Sequence, residues 1–321
     1  MGFRSVAALA AVCVLFSASS NAGEQYPNRP IRLVIPLSAG GPPDVIARVI
    51  ADQMARRLNG TVVVENRPGN GAAVGTRSVA TADPDGYTLL FASTTALSIV
   101  PFVFHNVDYD PVKSFAPISA LSGGAQMVIV RNELPAKSIA DLIALARAQP
   151  GKLTFGSGNG SARGAAELFK IMAKVDLLGV PYKTQPQVIA DLLGDRIDVT
   201  FSDFTTGLPP VRGGRARGLA VTSLQRYPGL EEYPTVAESG VPGYESRPWN
   251  AAYAPAGTPR PIIDKLNKLI REAVASEAYR NLLQITLAVP FAGSPEELAA
   301  WQEEETRKWG EIVRIAGMKE P

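Results

Sequence analysis

At 321 residues the chain has room for two domains, each with its own core, and a composition of 46% hydrophobic and 19% charged residues is that of an ordinary globular protein. Basic and acidic residues nearly balance at a formal net charge of +2 with no long basic run, which leaves nucleic-acid binding without electrostatic support. A single cysteine, Cys13, and a single histidine, His105, exclude a disulfide framework and zinc sites of the usual kind.

The first segment reads as a secretory signal peptide. Arg4 supplies a positive start, and Val6 to Phe16 is an apolar run well short of the roughly 20 residues that span a bilayer. Ser20-Asn21-Ala22 then offers small residues for cleavage after Ala22. Residues 1–22 are expected to be removed on export. Cys13 and Arg4 leave with them, so the remaining chain carries 31 basic and 30 acidic residues and no thiol.

Ile31 to Pro36 follows as a short strand. It runs into a Gly-rich loop, Leu37-Ser38-Ala39-Gly40-Gly41-Pro42-Pro43-Asp44, and then a helix with Val45, Ile46, Val49, Ile50, Met54 and Leu58 on one face. Asp44 falls in the first helical turn, where a carboxylate favours the helix dipole; it serves either as a plain helix-start residue or as an organiser of ligand or water. Thr61 to Glu65 reads as a buried strand, Ala72 to Ala82 as a helix, Asp83-Pro84-Asp85-Gly86 as a turn and Tyr87 to Ala92 as the next strand. This alternation indicates an α/β sheet.

A new unit begins at Met127 to Val130, after Ser122-Gly123-Gly124. Ser138 caps a helix to about Ala148, stopped by Pro150-Gly151. A second strand, Gly loop and helix then repeat the first pattern: Lys152 to Phe155, Gly156-Ser157-Gly158-Asn159-Gly160-Ser161, and a run to Lys174. Val180 to Lys183, Ile197 to Phe201 and Arg217 to Thr222 read as strands, and Gln187 to Leu193 as a helix. The pattern changes near Tyr244 to Tyr253. Thr258-Pro259 opens a helix with Ile262, Ile263, Leu266, Leu269, Ile270 and Val274 on one face, and Ser294-Pro295-Glu296-Glu297 is a capping box opening a last helix that ends near Gly317.

A helix start offers unpaired N–H groups and partial positive charge, and glycine lets an anion approach the backbone. One such junction in each half of the chain points to a carboxylate or phosphate gripped from two sides. Further candidates sit at strand ends, where α/β sheets open their crevices: Ser93, Thr94 and Thr95, and Asp203. Arg163, beside the second Gly loop, can pair with a carboxylate or point to solvent. The expected ligand set is Ser38, Ala39, Gly40, Gly41, Asp44, Ser93, Thr94, Ser157, Asn159, Gly160, Ser161, Arg163 and Asp203, with no metal and no cofactor. Gly156-x-Gly158-x-Gly160 lacks the third glycine of a dinucleotide fingerprint, and no Gly-Lys-Ser/Thr forms a P-loop. No serine lies in a G-x-S-x-G elbow. A secreted hydrolase using Ser157 or Ser161 with His105 is the rival reading.

Tyr26-Pro27-Asn28-Arg29-Pro30, Gly40-Gly41-Pro42-x-Asp44, Val64-Glu65-Asn66-Arg67-Pro68-Gly69, Ala82-Asp83-Pro84-Asp85-Gly86-Tyr87, Val180-Pro181-Tyr182-Lys183, Asp191-Leu192-Leu193-Gly194, Pro234-Thr235-Val236-Ala237-Glu238 and Ala254-Pro255-Ala256-Gly257-Thr258-Pro259 carry a family resemblance. The chain closely resembles the Bug family, the periplasmic solute receptors of tripartite tricarboxylate transporters, over essentially its whole mature length. The resemblance implies a two-domain periplasmic-binding-protein fold of type II, each lobe a mixed sheet flanked by helices, with a carboxylated ligand in the interdomain cleft. It implies that Ser38 through Asp44 and Ser157 through Ser161 grip one carboxylate, partly through ordered waters and backbone groups. Arg163-Gly164-Ala165, Gly179 and Thr184 depart from the family's usual residues; the family serves di- and tricarboxylates, amino acids and aromatic acids, so no one substrate is inherited. The expected division is 24–125 plus 249–321 for the first domain and 126–248 for the second. The expected partners are a small organic carboxylate and the permease subunits of such a transporter, with the receptor acting as a monomer, or recruited to sensing instead.

Overall fold

The computed structural model describes residues 26–104 and 107–318; the expected signal peptide, Cys13 and His105 lie outside the described residues. Two sheets organise the chain. In the first half, β1 (Ile31–Ile35) leads into α1 (Pro42–Leu58), β2 (Val62–Asn66), α2 (Ala73–Ala80) and β3 (Thr88–Ser93). A π-helical turn, Thr95–Ile99, and α3 (Val100–Val103) precede β4 (Phe115–Gly123). The second half holds β5 (Gln126–Arg131), α4 (Ile139–Ala148), β6 (Thr154–Ser157), α5 (Gly160–Ala173), β7 (Leu178–Pro181), α6 (Gln185–Leu193), β8 (Val199–Asp203), α7 (Phe204–Arg212) and β9 (Ala216–Val221). The chain then returns through β10 (Trp249–Pro255), α8 (Arg260–Val274), α9 (Glu277–Thr286), β11 (Val289–Pro290) and α10 (Pro295–Ala316).

The first sheet runs β11-β4-β10-β3-β1-β2 and the second β7-β6-β8-β5-β9. Within each, three strands joined by helical crossovers are parallel: β1, β2 and β3 in one, β6, β7 and β8 in the other. Each sheet is completed by a strand that arrives from the other sheet and lies antiparallel: β10 against β3, β5 against β8. This shared plan makes each lobe a mixed sheet, and it fixes where the lobes meet. The incoming strands start, at Trp249 and Gln126, on the edges where the parallel strands end. Those two edges therefore face one another.

The crossings are bonded together at that place. Gly124 N–H donates to Pro248 C=O at 3.0 Å, and Ser246 N–H donates to Thr222 C=O at 2.9 Å. The Thr222 hydroxyl accepts from Gln126 N–H at 2.7 Å and donates to Ser246 C=O at 2.8 Å. The last helix makes a further link. Its start is a complete capping box, with Glu297 N–H on Ser294 Oγ at 3.1 Å and Ser294 N–H on Glu297 Oε2 at 2.7 Å. At 22 residues α10 is about 33 Å long, enough to cover both lobes. Leu298 packs with the first sheet's Val34, Leu90 and Tyr253, whereas Trp309, Ile312 and Val313 pack with Val128 and Phe201 of the second and with Phe169 of α5. The buried Glu305 carboxylate accepts from the indoles of Trp249, at 3.2 Å, and Trp309, at 2.9 Å, tying the returning strand to the far end of this helix.

The local reasons for these elements are plain in their residues. In β1 four of five side chains are buried, as a strand covered on both faces requires. Ile46, Ala47, Ile50, Ala51 and Met54 give α1 a buried stripe at helical spacing. Lys174, which closes α5, takes the left-handed conformation that ends a helix.

Candidate functional site

Because β3, β1 and β2 are parallel neighbours, the loops that follow them stand side by side: Thr94–Thr95, Pro36–Gly41 and Arg67–Gly71. In the second lobe β7, β6 and β8 bring Tyr182–Thr184, Gly158–Asn159 and Asp203 to the opposing edge in the same way. Between them lies a cavity of about 170 Å³. Its first-lobe side is formed by Gly71, Thr95, Ile99, Val100, Val103 and Phe104. Its second-lobe side is formed by Ser157, Asn159, Gly160, Arg163, Pro181 and Tyr182, and Met318 closes it from the end of the chain. Of the site residues expected from sequence, Ser157, Asn159, Gly160 and Arg163 line this cavity. A larger surface groove of about 800 Å³, beside Arg57, Lys265 and Lys268, lies at the other end of α1, roughly 25 Å along the helix from Gly41, and takes no part in the site.

The first Gly loop is held from beneath. The buried Asp44 carboxylate accepts from Gly40 N–H at 3.0 Å, from Arg48 Nε and Nη2 at 3.1 and 3.0 Å, and from Asn66 Nδ2 at 3.0 Å; Asn66 also donates to Leu37 C=O at 3.2 Å. Burial pushes this carboxyl up, but the guanidinium of Arg48, the Gly40 N–H and the Asn66 amide outweigh it and hold the group below the usual carboxylate range. All these partners are protein groups of the loop and its neighbours, which is a loop-ordering role. Gly40 needs its glycine for a φ of +86°, whereas Gly41 sits in extended backbone at φ −82°. Pro42 and Pro43 occupy the first two helical positions and have no N–H, so α1 offers fewer donors than a helix start ordinarily does. The loop donors left without a protein acceptor among the described residues are the N–H groups of Leu37, Ser38, Ala39 and Gly41.

The second Gly loop is tighter. Gly158 N–H donates to Gln185 Oε1 at 3.0 Å, and a Cβ on Gly158 would lie 2.2 Å from Gln185 N, so this glycine clears the neighbouring loop rather than a ligand. Asn159 caps α5 by accepting from Ala162 N–H at 2.8 Å. Ser161 N–H donates across the lobes to Thr95 Oγ1 at 3.1 Å, and its hydroxyl bonds Asn159 Oδ1 at 2.8 Å. The N–H groups of Asn159 and Gly160 meet no protein acceptor among the described residues. Ser157 is 5% exposed, lines the cavity, and its hydroxyl likewise has no hydrogen-bond partner among the described residues.

Ser93 and Thr94 turn to structural work. Ser93 Oγ accepts from Ala96 N–H at 3.4 Å, and Thr94 Oγ1 accepts from Trp249 N–H at 2.9 Å. Their neighbour Thr95 is the residue that reaches the other lobe. Asp203 caps α7, accepting from Thr206 N–H at 2.8 Å and Thr206 Oγ1 at 3.1 Å; burial raises its carboxyl above the usual range despite those bonds. Tyr182 turns its hydroxyl away, donating to Asp191 Oδ2 at 2.9 Å. Among the described residues no hydrogen bond joins Ser38–Gly41 to Ser157–Ser161; strand order alone brings them to facing edges. The apolar wall of Ile99, Val100, Val103 and Phe104 was not singled out in the sequence, because a short apolar run there has neither strand alternation nor helical length. The π-helical turn that presents it is a geometry found often at functional sites.

Comparison with known proteins identifies the family and the fold. Residues 46–318 match the model of the tripartite tricarboxylate transporter family receptor, TctC. Protein BugT of Bordetella pertussis (strain Tohama I) is 34% identical over 92% of this chain and 92% of its own length. Among solved structures, R. palustris Rpa4515 with adipate superposes with a TM-score of 0.83 at 33% identity, covering 91% of this chain and 98% of that one. The periplasmic binding protein BugD superposes with a TM-score of 0.81, also at 33% identity, over 92% of this chain and 100% of that one.

Proposed function

Since the chain belongs to the tripartite tricarboxylate transporter receptor family, we propose that it is an extracytoplasmic solute-binding protein that captures a small carboxylated organic anion between its lobes and hands it to the transporter's membrane permease. The observation that carries this reading is the cavity where the two strand-end edges face one another, with the free N–H groups of Asn159 and Gly160 and the unpaired Ser157 hydroxyl on one side. Rpa4515, the structural relative solved with adipate, supports a carboxylate as the ligand class. The remaining contacts are assigned to Ser38, Ala39 and Gly41 of the first loop, with Arg163 at the second-lobe rim; Asp44, Ser93, Thr94 and Asp203 shape the loops that make them.

In this reading 24–125 with 249–321 and 126–248 are the two lobes, with the end of α10 docked on the second. The crossings at Gly124 and Pro248 are the hinge. Ligand contacts on both lobes exist together only when the cleft is shut, so binding shifts the population towards closure. The protein works as a monomer in the periplasm after removal of residues 1–22. Among the described residues no helix is long and apolar enough to cross a membrane, which fits that location. The rival hydrolase finds little support: the Ser161 hydroxyl donates to an amide oxygen, not to a base.

A thermal-shift screen of carboxylic acids tests the reading. A true ligand at 100 times its Kd adds about 2.7 kcal/mol to stability, a shift of several degrees. Hydrolysis of esters that is lost in a His105→Ala variant, with no acid stabilising the protein, would replace this function with the rival one.

A further inference from the structure

We propose that the ligand is a carboxylate with a compact apolar body of about the size of one six-membered ring, hydrogen-bonded by Ser157 and packed on the first-lobe wall; this rests on the receptor reading. Three observations lead there. The first is size. The cavity holds about 170 Å³, and a cavity of about 150 Å³ lined by aliphatic and aromatic side chains is known to admit benzene.

The second is the one-sidedness of the lining. On the first-lobe side Ile99, Val100, Val103 and Phe104 bring apolar side chains, the first three at most 5% exposed, and the one side-chain hydroxyl on that side, that of Thr95, already accepts from Ser161 N–H. A polycarboxylate filling this space would have to press charged oxygens on that wall, giving up water with nothing in exchange. An apolar body gains by the same contact. Arg163, which has an interaction of its own, lines the cavity on the second-lobe side with Ser157.

The third is Ser157. Its hydroxyl is inside the cavity, on a residue 5% exposed, with no protein partner among the described residues. A hydroxyl that no protein group occupies is free to bond a ligand oxygen placed beside it. Beyond Gly158, whose N–H is taken by Gln185, the N–H groups of Asn159 and Gly160 come next in the chain. Charge belongs at that side and carbon at the other, which describes a ring acid rather than a tricarboxylate.

Isothermal titration of the mature chain with benzoate and cyclohexanecarboxylate, against malonate, succinate and citrate, tests this. The ring acids are expected to bind at least tenfold more tightly than the polar ones. Val100→Phe fills the cavity and is expected to abolish binding of the ring acids. Ser157→Ala is expected to weaken them by about tenfold, the worth of one buried hydrogen bond. If Val100→Phe does not fold, Phe104→Ala enlarges the cavity and is expected to move preference towards naphthoate. Polar acids binding as tightly as the ring acids, or a Ser157→Ala variant with unchanged affinity, would overturn the inference and leave a carboxylate receptor of another class. Binding by none of the acids would remove the receptor reading together with it.

Discussion

Replacing Gly160 with alanine should act as a wedge between the lobes. A Cβ built on Gly160 lies 2.8 Å from Thr95 Cγ2 and 3.3 Å from Thr95 Oγ1, and all of its near neighbours belong to that one residue on the opposite lobe. Optimal carbon–carbon separation is about 3.5–4.0 Å, so one lobe or the other must give way by most of an ångström. Thr95 cannot retreat without straining the bond it accepts from Ser161 N–H. Overpacking of this kind costs about 1–3 kcal/mol, and with the cleft closing as proposed the cost falls on the closed arrangement. Neither lobe suffers alone, because alanine at the first position of α5 is a better helix residue than glycine. Ligand affinity should therefore fall by about 5- to 150-fold, which is what that energy means for an equilibrium. Titration calorimetry reads the affinity, small-angle scattering reads the shift towards the open form, and circular dichroism confirms the fold. Adding Thr95→Ser removes the clashing methyl and should restore most of the loss, so the pair forms a double-mutant cycle. A folded Gly160→Ala variant with unchanged affinity and unchanged scattering would refute the claim that this contact is made on closure.

Substitutions at four other positions test other parts of the molecule. Gly41→Leu should leave the melting temperature near that of the parent, since φ is −82° and the only atom near its Cβ is Pro43 Cδ at 3.8 Å, yet it should abolish ligand binding by covering the first-loop donors. Glu305→Leu strands the indole N–H groups of Trp249 and Trp309 and should cost about 2–6 kcal/mol in denaturant unfolding, at about 1–3 kcal/mol per buried donor, while Glu305→Gln keeps an acceptor and costs less. Asp44 has a folded pKa below its unfolded value of about 3.9, so its contribution is present above that pH and lost as pH falls through the folded value. Asp44→Asn should thus destabilise the protein at neutral pH, by a margin that closes in acid. Asp203 has the opposite sign: its folded pKa is raised by burial, so its contribution is full below about 3.9 and declines as pH rises through the folded value. Asp203→Asn, which keeps the Oδ1 cap on Thr206 N–H, should flatten that decline; an unchanged pH profile of unfolding would show that Asp203 titrates normally.

Several elements could be read from the chain because their causes are local. The stripe of Ile46, Ile50 and Met54, the Ser138 cap and the reciprocal Ser294–Glu297 box involve residues within a few turns of one another, and the structure has them within a residue or two of the expected limits. The two strand–loop–helix junctions were visible for the same reason. Other elements were hidden because their local signals point the wrong way. Phe204–Arg212 is helical although Pro209 and Pro210 lie inside it; packing of Phe204 and Leu208 on the second sheet outweighs local preference. Phe115–Gly123 carries Pro117 and no alternation, and becomes a strand through its long pairing with β10.

What each glycine does at the site was also beyond the sequence. Gly40, Gly41, Gly158 and Gly160 look equivalent as letters, yet one supplies a positive φ, one stands open, one clears Gln185 and one meets Thr95. The cavity itself joins Gly71 and Thr95 with Ser157, Tyr182 and Met318, residues up to 247 positions apart. Periodicity, caps and glycine loops are set by interactions within a few residues, and so the chain alone determined many of the lobes' elements and the two strand–loop–helix junctions. Which N–H groups stay free, which glycine touches which lobe and what walls the cavity depend on strand order and on contacts that exist only once the two sheets have been brought edge to edge.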